Sequence, residues 1–311
     1  MRVLFWGTPE FAASPLRALI GEGFEVVGVV TQPDKPQGRS RKVVAPSVKE
    51  IAIEEGIPCF QPETPKDAEF IGMIELMKPD ISVVVAYGHI LPKRLIDLPR
   101  LGTLNIHASL LPLLRGAAPI QAAIRQGFAQ TGVTIMRMVP ALDSGPVIFT
   151  ASIPVLDDET YGELQLRLSE LGALTLVEAM TLISLGKAKE TPQDDSLATY
   201  APKVTRDDAR VDWTLGVDEV SRLVRAYDPK PAAWTSLNGL DVKLFGARRV
   251  DPMDNAQTHP GRVVDVRQGI IVACGDGLLC IRDVQPAGKS RMRSSDWARG
   301  RGVNMGDTFG A

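Results

Sequence analysis

The chain has 311 residues, 44% hydrophobic and 23% charged, with a formal net charge of −2. That length exceeds one typical domain, and the balanced composition excludes disorder as the main state. Three further counts narrow the classes. Cys59, Cys274 and Cys280 form no CxxC and cannot all pair, which points to reduced thiols, and three scattered histidines (His89, His107, His259) leave no metal site expected. No apolar stretch approaches a membrane span, and the apolar run near Met1 is too short and too quickly broken for a signal peptide, so no membrane association and a cytoplasmic location are expected.

Residues 3–6 read as a short buried strand, and Gly7-Thr8-Pro9-Glu10 leads into a helical pattern through Phe11, Leu16, Leu19 and Ile20. Residues 26–31 form the next strand, which makes a β-α-β unit. Its turn has only Gly7 where a dinucleotide fingerprint requires G-x-G-x-x-G, which disfavours a nicotinamide or flavin site. Residues 32–46 read as a loop carrying Lys35, Arg39, Arg41 and Lys42, either a solvated surface loop or an arm that grips phosphates. A helix over 48–55, a strand over 58–60, a helix over 65–77 and a buried strand over 81–86 follow. This alternation predicts an α/β fold with a doubly wound, mostly parallel sheet.

Tyr87-Gly88-His89-Ile90-Leu91-Pro92 stands at the carboxyl end of the 81–86 strand. A short helix over 92–98 comes next, then a strand over 103–108 in which the two-residue period puts Asn105 and His107 on one face. The spacing predicts a helix over 118–126, strands over 132–138 and 147–154 around a turn-rich loop containing Asp143, and a long helix over 160–185. The unperiodic stretch 187–208 is set as the linker between domains 1–186 and 209–311. Beyond it, a helix over 217–226 precedes short strands over 234–237, 242–245, 262–266, 270–274 and 278–284, with Asn238-Gly239 as a hairpin signal; a small β-barrel is the economical fold. The tail 288–301, with Lys289, Arg291, Arg293, Arg299 and Arg301, is expected to be exposed. Residues 203–311 are net basic and those before them net acidic, a weak pointer to a polyanionic partner for the second half.

Asn, His and Asp gathered in a crevice at the carboxyl ends of strands suit acyl transfer without a covalent enzyme intermediate. An amide N–H or a protonated imidazole can hold the oxyanion of a tetrahedral intermediate, and a carboxylate or imidazole can take the nucleophile's proton. From spacing alone, Asn105 and His107 read more readily as a satisfied polar pair than as a catalytic one, Ser109 as a strand-end cap, and Asp143 as an Asx-turn residue.

Asn105-x-His107, Ser109-Leu110-Leu111-Pro112, Arg115-Gly116-Ala117-Ala118-Pro119-Ile120 and Leu142-Asp143-Ser144-Gly145 together resemble the 10-formyltetrahydrofolate-dependent formyltransferases. The resemblance extends to Gly7-Thr8-Pro9, Gln32-Pro33-Asp34-Lys35-Pro36, Thr199-Tyr200-Ala201-Pro202-Lys203 and Gln285-Pro286-Ala287-Gly288-Lys289. It implies a Rossmann-like catalytic domain, a smaller OB-like β-barrel with a basic face for tRNA, and 10-formyltetrahydrofolate as co-substrate with no metal. The basic loop and the C-terminal segments resemble the branch acting on initiator methionyl-tRNA, with a monomer expected. Asn105, His107 and Asp143 are its implied catalytic trio. Ser109, Leu110, Leu111 and Pro112 are the implied folate segment, Tyr87, Gly88, His89, Ile90 and Leu91 line the pterin pocket, and Arg39, Arg41 and Lys42 are the implied acceptor-stem contacts. Leu113 and Leu114 stand where the family often has Arg and Trp. Two other readings remain open: an amino-sugar or glycinamide nucleotide as acceptor, and a non-catalytic RNA-binding module.

Overall fold

A computed structural model describes residues 1–37, 42–250 and 259–310. Within them the elements run β1 (Arg2–Gly7), α1 (Ala13–Gly21), β2 (Glu25–Val30), β3 (Lys35–Gln37), β4 (Lys42–Val44), α2 (Ser47–Glu54), β5 (Cys59–Phe60), α3 (Ala68–Met77) and β6 (Ile81–Val85). They continue through α4 (Lys93–Ile96), β7 (Thr103–His107), α5 (Pro119–Arg125), β8 (Gln130–Arg137), β9 (Val147–Pro154) and α6 (Tyr161–Ser184). The remainder comprises α7 (Val217–Tyr227), β10 (Ala233–Leu237), β11 (Leu240–Val250), β12 (Val263–Asp265), β13 (Ile270–Ala273), β14 (Leu278–Pro286), β15 (Met292–Arg293) and α8 (Ser294–Arg299).

Among the described residues, the first sheet has the order β5-β2-β1-β6-β7-β8-β9. The pairs β1/β2, β2/β5, β1/β6 and β6/β7 are parallel, and β7/β8 is antiparallel. The mostly parallel, doubly wound sheet expected from the alternating pattern is therefore present. Its buried strands are near-continuous apolar runs because helices cover both faces of such sheets. The chain moves outward from β1 to β5 and then returns beside β1 as β6, so strand order reverses between β1 and β6. Open α/β sheets bind ligands at such a reversal, outside the carboxyl ends of the strands. There Trp6 and Tyr87 pack edge to face, ring centroids 5.3 Å apart, within a cluster that includes Leu4, Val30, Phe70, Ile74 and Leu95.

Three local expectations change. The stretch 32–46 is not all loop: β3 and β4 pair antiparallel, Lys35 opposite Val44. Helix α3 starts at Ala68 because the Asp67 side chain accepts the Phe70 N–H at 2.8 Å, an N-cap that outweighs the earlier proline. The basic tail is only partly exposed. Trp297 and Ser294 are buried in α8, and Arg291 and Arg293 pair with Asp283 at 2.9 and 3.1 Å.

The chain divides into two compact units: residues 1–119, 131–153 and 165–201 form one, and 120–130, 154–164 and 202–311 the other. Among the described residues, the second is built on an antiparallel sheet, β10-β11-β14-β13-β12 with β15 on β14, in keeping with the small β-barrel expected, with β11 and β14 longer than the short strands read from sequence. No helix among the described residues is long and apolar enough to cross a membrane.

All three cysteines are free thiols. Burial pushes the Cys274 thiol up to about 12, with Asp276 adding in the same direction, and burial also raises Cys59 and Cys280. A raised thiol stays protonated and unreactive through mildly alkaline pH. At pH 8, iodoacetamide is expected to leave Cys274 unlabelled in the native protein and to label it in urea, read by peptide mass spectrometry; rapid native labelling would contradict its burial.

Candidate active site

The Thr-Leu-Asn-Ile-His sequence of β7 sets the site by alternation: Leu104 and Ile106 turn to one face, Asn105 and His107 to the other. On the antiparallel neighbour β8, Met136 stands opposite Asn105 and Thr134 opposite His107. His107 is only 5% exposed, whereas Asn105 is half-buried and its carboxamide has no hydrogen-bond partner among the described residues. An amide donor at the crevice is thus available to a ligand.

The loop after β7 is held by hydroxyl side chains bonded to its backbone polar groups. Ser109, 1% exposed, donates its hydroxyl to Leu113 O at 2.5 Å. Thr134 donates its hydroxyl to Ser109 O at 2.7 Å and accepts the Leu111 N–H at 3.1 Å. Leu114 adopts a left-handed conformation, φ 58°, and its N–H donates to Thr199 Oγ1 at 2.8 Å. Its carbonyl then lies 2.9 Å from His107 Nε2. A carbonyl oxygen only accepts, so Nε2 carries the proton and Nδ1 is the ring nitrogen left for chemistry.

Nδ1 faces Asp143, with Oδ2 at 3.6 Å. That separation is too long for a hydrogen bond and short enough for an ion pair once the imidazole is protonated. Asp143 is itself left-handed, φ 46°, and its Oδ2 accepts the Gly116 N–H at 2.8 Å. Gly116 has φ 119°, and a Cβ there would meet Ala201 O at 2.6 Å, so only glycine brings that N–H to the carboxylate. The expected trio is therefore brought together: Asn105 and His107 on one strand face, Asp143 reaching in from the loop between β8 and β9.

The implied folate residues lie at the carboxyl ends of β6 and β7, which are parallel neighbours. Tyr87 is buried, its main-chain O accepting from Thr8 Oγ1 and Gln32 Nε2, both at 3.0 Å. Its hydroxyl is buried without a hydrogen-bond partner among the described residues, and desolvation pushes it up to about 12. Gly88, His89 and Ile90 are exposed, Ile90 by 85%, and Leu91 turns back into the core. Leu110, Leu111 and Pro112 are half-buried. Leu114 is fully buried and contributes its carbonyl. Of the basic loop, Arg39 and Arg41 lie outside the described residues, and Lys42 is placed only as the first residue of β4.

Residues missed from sequence are Thr134 and Gln193, while Arg115 and Thr199 lie in segments of the resemblance that carried no role for them. Arg115 is buried, with its guanidinium on Gln193 Oε1 and on Asp195 at 2.7 Å. Single polar residues on a strand or in an unperiodic stretch carry no periodic signal, so only their contacts reveal them. Among the described residues, no group of three or more His, Cys, Asp and Glu is arranged to hold a metal ion.

Residues 1–180 match the family model described as formyl transferase, and residues 203–302 the formyl transferase C-terminal domain. The chain is 42% identical over 302 residues to a methionyl-tRNA formyltransferase of Pseudoalteromonas translucida, covering 97% of this chain and 94% of that one. It is 44% identical over 297 residues to a methionyl-tRNA formyltransferase of Pseudomonas fluorescens, covering 95% and 92%. HypX from Aquifex aeolicus, solved in complex with tetrahydrofolic acid, shares the fold with a TM-score of 0.68 at 21% identity, covering 95% of this chain and 46% of that one.

Thr134 joins Ser109 O to Leu111 N, so Thr134→Val leaves both without that partner. A loss of about 1–3 kcal/mol in urea denaturation is expected, the cost of buried polar groups left unmade; an unchanged midpoint and slope would show that the loop does not depend on this hydroxyl.

Proposed function

The chain belongs to the formyl transferase family, and on that premise we propose that it transfers the formyl group of 10-formyltetrahydrofolate to the α-amino group of methionyl initiator tRNA, for translation initiation. The observation that carries the chemistry is the gathering of Asn105, His107 and Asp143 at the carboxyl edge of β7. The acceptor follows from two methionyl-tRNA formyltransferases matched over nearly the full chain.

In this reading the methionyl amine attacks the formyl carbon, a C–N bond forms, and negative charge collects on the formyl oxygen. The Asn105 carboxamide, without a hydrogen-bond partner among the described residues, donates to that oxygen. His107, its Nε2–H held by Leu114 O, presents Nδ1 to the same centre and, when protonated, donates as well. Asp143 orients His107 and assists removal of the ammonium proton, which passes to N10 of the folate as the C–N10 bond breaks. The products are tetrahydrofolate and formylmethionyl-tRNA.

Ser109, Leu110, Leu111 and Pro112 bind the folate, with Tyr87 to Leu91 lining the pterin pocket. The orphaned Tyr87 hydroxyl and the exposed rim from Gly88 to Ile90 support that role. Arg39, Arg41 and Lys42 are assigned to the acceptor stem. Residues 1–186 are the catalytic domain, 187–208 the linker, and 209–311 the tRNA-binding domain. In the second unit, Arg206 and Arg210 lie 4.7 and 5.5 Å from the Trp234 ring, a cationic platform suited to a polyanion. The protein works as a cytoplasmic monomer.

Purified protein given the formyl donor and charged tRNAs is expected to formylate initiator methionyl-tRNA and to leave elongator methionyl-tRNA nearly unmodified; no formylmethionyl product at saturating folate would sink the assignment. Asn105→Ala is expected to lower kcat by about 10²–10³ with folate binding kept, the usual effect of losing one oxyanion donor; near-normal turnover would refute its role. With added salt, kcat/KM for tRNA should fall steeply, as counterion release requires. A flat salt response would favour a small amino-sugar or nucleotide acceptor.

A further inference from the structure

Residues 191–201 lack periodicity, yet they are hydrogen-bonded along the first unit. Arg115 N–H donates to Thr199 O and Ala201 N–H to Arg115 O, both at 2.8 Å, and Thr191 exchanges two 2.8 Å bonds with Val147. At the centre of this strap stands Gln193. Its Nε2 donates to Asp143 O and to Gly145 O, both at 2.8 Å. Its Oε1 accepts from Arg115 Nε at 3.1 Å and Nη2 at 2.7 Å. These four bonds use both donors and both acceptor positions of one amide.

The consequence concerns Asp143. This residue holds a left-handed backbone, φ 46°, in a loop bounded by β8 and β9. Left-handed conformations of non-glycine residues persist where the surroundings fix them. Here the Asp143 carbonyl is fixed by Gln193 and its carboxylate by Gly116 N–H, while Arg115, one residue before Gly116, is gripped by the same Gln193 amide. We infer that Gln193 is a positioning residue for formyl transfer, locking the loop that bears Asp143 to the loop that follows His107, so that Oδ2 faces Nδ1. This rests on the catalytic reading of Asp143 given above.

Gln193→Glu is the informative substitution: it keeps length and the acceptor for Arg115, but offers no N–H to the two carbonyls. Amide exchange at Gly116 is expected to accelerate by at least about tenfold, because its acceptor is no longer held. At saturating substrates, kcat is expected to fall by about 10–100-fold with both KM values within about threefold, as for sub-ångström misplacement of a reacting group. In an Asp143→Asn background the same substitution should cost less than about twofold, since the two act as one unit. Leu19→Ala, a core variant of similar thermal destabilisation, should keep kcat within about twofold.

Unchanged Gly116 exchange, a loss confined to KM, or an undiminished loss in the Asp143→Asn background would each overturn the inference. Failure of Gln193→Glu to fold, or an equal kcat loss in Leu19→Ala, would also overturn it, by assigning the effect to global stability. If the wild-type protein fails to formylate methionyl-tRNA, the proposed function falls, and the exchange at Gly116 still decides whether Gln193 holds the loop.

Discussion

The bond from His107 Nε2–H to the Leu114 carbonyl is the constraint on which the site depends. It fixes which ring nitrogen is free and which way the ring faces, and it exists only if Leu114 takes its left-handed conformation. That conformation is held from outside: Thr199 accepts the Leu114 N–H, Ser109 closes the turn onto Leu113 O, and Thr134 pins Ser109 O and Leu111 N. Strand β7 is thus held by sheet pairing, and its following loop by buried polar contacts. Groups held this way need little reorganisation when charge develops on a substrate oxygen.

The sheet explains why these contacts meet. Parallel strands β1, β6 and β7 end on the same edge, so Thr8, Tyr87 and His107 come together although they are far apart in sequence. Thr8 and Gln32 both donate to the Tyr87 carbonyl, which joins the turn after β1 to the loop after β6 across the reversal in strand order. The antiparallel addition of β8 then brings Thr134 against His107 and opens into the loop that carries Asp143.

Much of this was legible in the sequence. Apolar runs bounded by turn residues located β1, β2 and β6 to within a residue or two, because strands in the middle of such a sheet need such runs; β7 and the edge strand β9 were located as closely by alternation and flanking turns. Alternation put Asn105 and His107 on one face. Periodicity could not reach Asp143, whose place depends on a distant loop; the motif resemblance supplied it. Periodicity also missed β3 and β4, whose Pro36 and charged residues read as loop, and α8, whose buried Ser294 and Trp297 sit in a basic stretch. Gln193 was invisible because it lies in a polar segment that reads as linker; its meaning is in four hydrogen bonds to residues nearly 50 or more positions away.

Formyl transfer through His107 is tested most directly by a single turnover, with enzyme in excess over methionyl initiator tRNA and saturating 10-formyltetrahydrofolate, comparing wild type with His107→Asn. Formylmethionyl-tRNA and tetrahydrofolate should appear together and in equal amounts in the wild type, and the rate in the variant should be slower by at least about 10², the usual share of a positioned acid–base group. Transfer by His107→Asn within about threefold of wild type would contradict a role for the imidazole in the chemical step.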